Sequence, residues 1–209
     1  MFVLASASRA RQKLLNQITL KYKVVVSDFD ESKLVEKDPC LKVKYLAREK
    51  ANSSLKKLNH LKENHLTTFQ ALLACDSLFE FEGEIFGKPI NEDELISRFQ
   101  RMSGKSGFLH TGHHLISMEN SNDDKSISVK RFIEGVVSTK IEFTSISTKD
   151  IIKYASISEP YQCAGGFAIE GKASIFIKKI NGCFSNVIGI SLPWLKSNLD
   201  DLGLKELIF

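Results

Sequence analysis

The chain has 209 residues, of which 43% are hydrophobic and 26% charged, and this composition argues against a disordered or fibrous protein. The 29 basic and 25 acidic residues leave a net charge of +4, whereas a nucleic-acid-binding protein more often carries a concentrated basic stripe. No apolar run approaches the length that spans a bilayer, and the first residues lack the basic start of a secretory signal. We therefore expect a cytoplasmic protein with neither a nucleic-acid nor a membrane partner.

Hydrophobic periodicity predicts an α/β chain in which strands and helices alternate. Residues 1–4 form a short apolar run, and Ser6 and Ser8 precede leucines at helical spacing, which is typical of a strand, a turn and a helix N-terminus. The apolar run 69–75 predicts a buried strand that ends at Asp76. The segment 21–32 predicts a strand that runs into an acidic turn at Asp28, Asp30 and Glu31. The other predicted elements are an amphipathic helix at 39–58, a hairpin around Gly83, a helix capped by Asn91, strands at 107–118 and 133–146 joined by a loop at 119–126, a helix at 148–157, a glycine-rich loop at 161–171, a strand at 173–180 and a helix at 191–204.

Two segments are similar to the phosphate-binding pattern G-x-x-x-x-G-K-[ST], but neither completes it. Phe99 stands where the first glycine would precede Gly104-Lys105-Ser106. After Gly171-Lys172 comes Ala173 in place of the magnesium-binding hydroxyl, and a strand is predicted there instead of a helix. We expect no P-loop.

The histidines and cysteines show no metal-ligand spacing. The adjacent His113 and His114 would point to opposite faces of a strand, which favours structural or surface roles. The four cysteines form no C-x-x-C pair, so reduced thiols are expected. A G-x-S-x-G serine elbow is also missing from the sequence.

The turn after the first strand carries a set of residues suited to binding an anion. Ser6 and Ser8 are followed closely by Arg9 and Arg11, so that hydroxyls, backbone N–H groups and a guanidinium can converge. Ordinary N-capping by Ser8 explains the same pattern equally well. Both interpretations stay open from sequence.

Two carboxylates and two lysines are further candidates. Asp76 follows the most apolar predicted strand, where a buried carboxylate is costly unless a cation or metal pairs with it. Glu31 lies just past another predicted strand. Lys50 and Lys88 are cationic candidates for which salt bridges at the surface are the simpler explanation.

Taken together, these segments resemble the Maf family of septum-formation-inhibitor-like proteins, which are regarded as house-cleaning nucleoside triphosphate pyrophosphatases. The resemblance covers nearly the whole chain, and its later blocks are most similar to cyanobacterial members. It rests on LASASRARQKLL, SDFDES, LAREKA, ACDS followed by GEIFGKP, SGKSGFLHTG, and EPYQCAGGFAIEG with INGCFSNVIGISLP, which occur in the family's order.

The resemblance implies a single elongated α/β domain over residues 1–209, in which helices flank a twisted mixed sheet and a cleft lies between two lobes, commonly in a homodimer. It implies hydrolysis of a nucleoside triphosphate between the α- and β-phosphates, with Mg²⁺ or Mn²⁺ as cofactor. The implied roles are catalysis by Asp76, metal binding by Glu31 and Asp76, and substrate binding by Ser6, Ser8, Arg11, Lys50 and Lys88.

Departures from the family pattern concern the first turn and the selectivity positions. Where the family usually reads Ser-Pro-Arg-Arg, this chain has Ser8, Arg9, Ala10 and Arg11. The family's three selectivity positions fall on Ala10, Ser77 and Glu170, and only Glu170 matches a characterised type. The altered turn favours an alternative function, a non-catalytic nucleotide-binding regulator of septum formation. The retained Asp76, Glu31 and both lysines favour an enzyme.

Overall fold

The computed structural model describes residues 1–18, 21–31, 34–62, 68–120 and 127–208. Its seven strands are β1 Phe2–Leu4, β2 Tyr22–Val24, β3 Ala71–Phe81, β4 Glu84–Phe86, β5 Ser106–Asn120, β6 Ile127–Phe143 and β7 Ile177–Asn181. They form one sheet in the order β2-β1-β3-β5-β6-β7, with β4 paired to β3. Strand β1 is parallel to β2 and β3, whereas β4 is antiparallel to β3 and β7 is antiparallel to β6. The sheet is therefore mixed.

Six α-helices accompany the sheet in the described part of the chain. Four of them begin at a residue whose side chain accepts the N–H three positions later, as sequence patterns of this kind predict; these caps are Ser8, Asn91, Ser147 and Ser191. The helices are α1 Arg9–Asn16, α2 Pro39–Lys62, α3 Glu92–Met102, α4 Thr148–Ala155, α5 Phe184–Ile188 and α6 Leu192–Asp201.

Most predicted elements are confirmed, together with the mixed α/β class. The hairpin turn lies at Glu82 and Gly83, whose φ angles of 51° and 80° are those that a two-residue hairpin turn of type I′ requires. No α-helix follows Gly171, since residues Lys172–Phe176 form a short 3₁₀ helix that leads into β7. The phosphate-loop geometry is therefore absent there, as expected. Of the predicted loop at 119–126, residues 121–126 lie outside the described part.

Several element predictions were wrong in detail. The strand predicted from residue 21 covers only Tyr22–Val24, and the strand predicted at 133–146 covers Ile127–Phe143. Asp76 does not end its strand, because β3 continues to Phe81 with Phe79 and Phe81 buried. The predicted strand at 173–180 begins only at Ile177, after the 3₁₀ turn. The five-residue helix α5 was not predicted, because it is too short to show periodicity and lies between two glycine-containing turns.

The chain divides into two compact units. The first unit comprises Met1–Asp76, Thr111–Val137 and Gly189–Phe209, and the second comprises Ser77–His110 and Ser138–Ile188. The first three boundaries therefore fall inside strands β3, β5 and β6.

The first unit has a largely aliphatic core. Within this unit Gly112 lets β5 approach the start of α2, because a Cβ at this position would stand 2.2 Å from the carbonyl oxygen of Val43. The packed side chains are those of Val3, Ala5, Val25, Ala51, Leu58, Phe69, Leu72, Ala74, Ile116, Met118 and Ile127.

The second unit has an aromatic core. Phe79 stands edge-on to both Phe143 and Phe167, at centroid distances of 6.0 and 5.0 Å. Such edge-to-face pairs contribute about 0.5–1.5 kcal/mol beyond the burial of their area. The buried aromatic members are Phe79, Phe81, Phe86, Phe99, Phe143, Tyr154, Phe167 and Phe176.

Candidate functional site

The turn between β1 and α1 is organised by two serine hydroxyls. Ser8 caps α1, since its Oγ accepts the Arg11 N–H at 3.4 Å, while the Ser8 N–H donates to Ser6 Oγ at 3.2 Å. The N-capping interpretation of Ser8 is therefore confirmed. Ser6 itself is 8% exposed, whereas Arg9 projects to the surface.

The Arg11 side chain folds back over the same turn. Its Nη1 donates to Ser6 Oγ at 3.2 Å, and its Nε donates to the Gly189 carbonyl oxygen at 3.0 Å. These two bonds orient the guanidinium over the turn. Arg11 is thereby held in the unit that also contains Lys50 and Asp76.

Lys50 lies in α2 and bonds to two carboxylates. Its Nζ lies 2.5 Å from Asp76 Oδ1 and 2.8 Å from Glu31 Oε1. The exposed fractions of the side chains are 16% for Lys50, 10% for Asp76 and 51% for Glu31. The structure thus brings three of the predicted site residues together around one ammonium group, with a net charge of −1 when all three are ionised.

Burial affects the titration of two neighbouring residues in β3, Asp76 and Cys75. It raises the pKa of Asp76 above its usual range, although the Lys50 ammonium and the Arg11 guanidinium act in the opposite direction. Burial also raises the pKa of the neighbouring Cys75 thiol to about 12, so this thiol stays protonated at neutral pH. A carboxylate whose pKa is raised above its usual range is suited to accept a proton.

The two carboxylates fit a site in which the protein and the substrate phosphates together hold Mg²⁺. Mg²⁺ is usually held by one or two protein carboxylates, with waters and substrate phosphates as its other ligands. Glu31 and Asp76 supply two carboxylates that share a single cation. Within the described ranges, no three His, Cys, Asp or Glu side chains are grouped closely enough to hold a metal without such help.

Of the other predicted site residues, Ala10 is half-buried in α1 of the first unit, and Lys88, Ser77 and Glu170 belong to the second unit. Lys88 is exposed in the turn between β4 and α3, and Glu170 is exposed at the end of the glycine-rich segment. Cys163 lies within electrostatic range of both, and burial raises the pKa of its thiol to about 11. Ser77 is half-buried in β3.

The glycine-rich segment is shaped by positive φ angles rather than by regular structure. Gly165 and Gly166 have φ of 70° and 79°, and a Cβ on Gly166 would lie 2.5 Å from a Leu95 methyl group. The Tyr154 hydroxyl donates to the Gly166 carbonyl oxygen at 3.1 Å. Only glycine combines this conformation with so close a packing against α3.

The two adjacent histidines are structural, as predicted. His113 is fully buried, accepts the Ser191 N–H through Nε2 at 2.9 Å and stacks near Trp194. Burial lowers the pKa of His113 to about 3, so the ring is neutral. His114 is buried beside Glu134, at 3.3 Å from its carboxylate.

Sequence patterns did not identify the residues that hold the Lys88 turn. Arg98 Nη1 donates to the Gly87 carbonyl oxygen at 2.7 Å, and Glu94 Oε2 accepts the Ile90 N–H at 2.7 Å. A partial signal existed, because Glu94 and Arg98 are spaced i, i+4 on a predicted helix that follows the turn directly.

A family model described as Maf-like protein matches residues 1–202. The chain therefore belongs to the Maf family, as the resemblance indicated. Among its relatives are proteins named nucleoside triphosphate pyrophosphatase in Prochlorococcus marinus strain NATL1A, 69% identical over all of this chain and 99% of the relative, and in strain MIT 9301, 42% identical over 95% of this chain and 99% of the relative. A protein of the same name in Synechococcus sp. strain CC9311 is 40% identical over 94% of this chain and 97% of its own length.

None of the helices in the described ranges is both long enough and apolar enough to cross a membrane.

Proposed function

We propose that this chain is a nucleoside triphosphate pyrophosphatase that hydrolyses a nucleoside or deoxynucleoside triphosphate to the monophosphate and pyrophosphate. The observation that carries this proposal is the ion cluster in which Lys50 binds both the buried Asp76 and the more exposed Glu31. A Maf relative with 69% identity and full-length coverage bears the name of this activity. The enzyme is therefore better supported than a non-catalytic regulator of septum formation.

The phosphate-binding groups are proposed to be the two serines of the first turn together with Arg11, Lys50 and Lys88. A triphosphate carries several negative charges, and hydrolysis requires cations that neutralise them and hold the chain of phosphates in line. Arg11 is suited to this role because its bonds to Ser6 and Gly189 orient the cationic guanidinium over the first turn. Lys88 is suited because its ammonium group is exposed.

Asp76 is proposed as the group that orients the attacking water and accepts its proton. The water oxygen forms the new bond to phosphorus, the bridging bond between the α- and β-phosphates breaks, and pyrophosphate departs with the bonding electron pair. A carboxylate whose pKa burial has raised is a stronger proton acceptor than an exposed aspartate. Lys50 stabilises its ionised form before reaction.

Glu31 and Asp76 would together hold the divalent cation, Mg²⁺ or Mn²⁺. When bound, such an ion neutralises phosphate charge and polarises the phosphorus centre. The net negative charge of the cluster around Lys50 favours its recruitment.

Base selectivity is assigned to Ala10, Ser77 and Glu170. A carboxylate only accepts hydrogen bonds, so Glu170 favours a base edge with N–H donors, such as that of guanine or a modified purine. Ala10 replaces a bulkier residue of the family and would leave more room for the base.

We also propose that the enzyme is a cytoplasmic homodimer organised as a single two-lobed domain.

The test is a panel of nucleoside triphosphates incubated with the purified chain and Mg²⁺ or Mn²⁺, with release of pyrophosphate as the readout. We expect release that requires the metal and stops on chelation. Tight nucleotide binding without release across the whole panel would instead support the regulator.

A further inference from the structure

The turn that carries Lys88 is clamped at both ends by side chains of α3. At its start, the Gly87 carbonyl oxygen accepts a hydrogen bond from Arg98 Nη1 at 2.7 Å. At its end, the Ile90 N–H donates to Glu94 Oε2 at 2.7 Å. The two clamping groups therefore bracket Lys88 and Pro89 through backbone bonds.

The clamp is itself rigid. Arg98 Nη2 lies 2.5 Å from Glu94 Oε1, which joins the two side chains across one helical turn. The Arg98 guanidinium also lies 4.9 Å from the centroid of the Phe86 ring, and its side chain is only 14% exposed. Because three contacts hold this guanidinium, its planar donors keep a fixed direction toward Gly87.

The same carbonyl group connects the turn to the glycine-rich segment. Gly87 O accepts a second bond, from the Gly165 N–H at 3.1 Å. Two donors on one oxygen fix its position more tightly than either could alone. The backbone of Lys88 is thereby held relative to the segment that leads to Glu170.

The Lys88 ammonium group, by contrast, makes no ion pair with any other described residue, and the residue is exposed. Its side chain is long and loses rotamer freedom when it grips an anion. A fixed backbone limits that loss to the side chain alone. The geometry thus suits a lysine whose backbone is held in place and whose ammonium group can bind an anionic ligand.

We propose that Arg98 and Glu94 are positioning residues that set the reach of Lys88 toward the triphosphate. This inference rests on the phosphate-binding role proposed for Lys88. Arg98 touches neither substrate nor metal in this assignment and acts only through the Gly87–Ile90 turn. Its loss should therefore weaken substrate binding and leave the chemical step nearly unchanged.

The first experiment compares Arg98→Met with Arg101→Met in steady-state kinetics, using the triphosphate that the unaltered chain hydrolyses fastest. Methionine keeps the apolar length of the side chain against Phe86 but removes the donors. Arg101 is the matched control, because it lies on the same helix, stacks on Phe86 at 5.2 Å and bonds to Glu84 rather than to the turn. We expect Arg98→Met to raise KM about tenfold with kcat within about twofold, and Arg101→Met to leave both unchanged. Equal KM values for the two variants would overturn the proposal.

A double-mutant cycle with Lys88→Ala then tests whether Arg98 acts through Lys88. We expect Lys88→Ala alone to lower kcat/KM, and Arg98→Met to add no further loss in that background. A loss from Arg98→Met that persists without the lysine would show that Arg98 does not act through it. If Lys88→Ala leaves kcat/KM unchanged, the role of Lys88 fails and the inference fails with it. Absence of pyrophosphate release by the unaltered chain would instead refute the proposed function itself.

Discussion

Lys50 and Lys88 are both proposed to bind phosphate, yet the fold holds them in opposite ways. Lys50 is fixed through its ammonium group, which bonds to Asp76 and Glu31. Lys88 is fixed through its backbone, by Arg98 and Glu94 at the ends of its turn. A buried cation needs carboxylate partners to offset its desolvation. An exposed cation keeps its hydration, so the fold needs only to fix the backbone from which its side chain extends. The comparison separates a phosphate-binding lysine whose ammonium group is already paired within the fold from one whose ammonium group is exposed to solvent.

The largest effect is expected at Asp76, which belongs to the ion cluster and is the proposed proton acceptor. Asp76→Asn keeps the shape of the side chain but removes the charge that accepts a proton, so turnover should fall by a factor of about 10² or more. Pyrophosphate release measures this loss, and circular dichroism checks that the fold is retained. Asp28→Asn is the control, since Asp28 is an exposed partner of Lys57. More than about a tenth of normal activity in Asp76→Asn would contradict the assignment.

The two lysines should differ most clearly in stability. Lys50→Met leaves the buried Asp76 without its closest cation and should lower the free energy of unfolding by about 3 kcal/mol at neutral pH. Lys88→Met removes an exposed ammonium group and should change it by less than about 0.5 kcal/mol. Urea denaturation of both variants measures the difference. Equal stabilities would show that burial does not distinguish the two lysines.

Glu170 tests the contribution of the second unit to selectivity. Replacing its carboxylate by the amide in Glu170→Gln adds a donor, so kcat/KM should shift toward thymine and uracil nucleotides by about tenfold, within the 1–3 kcal/mol attributed to one buried hydrogen-bonding group. The measurement is a competition between GTP and dTTP or UTP. The carboxylate argument fails if the unaltered enzyme already prefers a pyrimidine to every purine tested.

The smallest effect is expected at Glu134. Its carboxylate is largely buried, like Asp76, but its cationic partners Lys44 and Arg48 are partly exposed. Burial alone would raise its pKa, but hydrogen bonds from Arg48 and Lys44 outweigh it and lower the pKa to about 2. Because the folded pKa is below the ordinary value of 4.5, the stabilisation is fully present above pH 4.5 and is lost as the pH falls toward 2. Since both cations are more than a third exposed, Glu134→Gln should cost about 1 kcal/mol at pH 7.

Melting temperatures of Glu134→Gln and the unaltered chain should therefore converge between pH 4.5 and the acid limit of folding. His114, whose pKa burial lowers, lies against the same carboxylate. A gap in melting temperature that stays constant from pH 7 to pH 3 would rule out an ionic origin.

The sequence was most informative where a pattern is local. Ser8 and Asn91 were recognised as caps because capping depends on residues three positions apart, and both caps are present. The extent of β3 was misjudged because the sequence around Asp76 does not show that Lys50, 26 positions earlier, offsets its charge. Likewise, the i, i+4 spacing of Glu94 and Arg98 did not reveal the contact of Arg98 with the Gly87 carbonyl, which depends on how the chain folds back.

Cys75 has a practical consequence that follows from its burial. Its thiol is 0% exposed, with a pKa raised to about 12, and it directly precedes Asp76 in β3. Maleimides react with the thiolate, so this sulfur can be alkylated only when the strand opens to solvent. With the other three cysteines changed to serine, the rate of alkylation would report how often β3 opens next to Asp76. Nucleotide and metal that bind the closed form should slow the alkylation of Cys75. The alkylation rate would therefore report how much of the site is occupied.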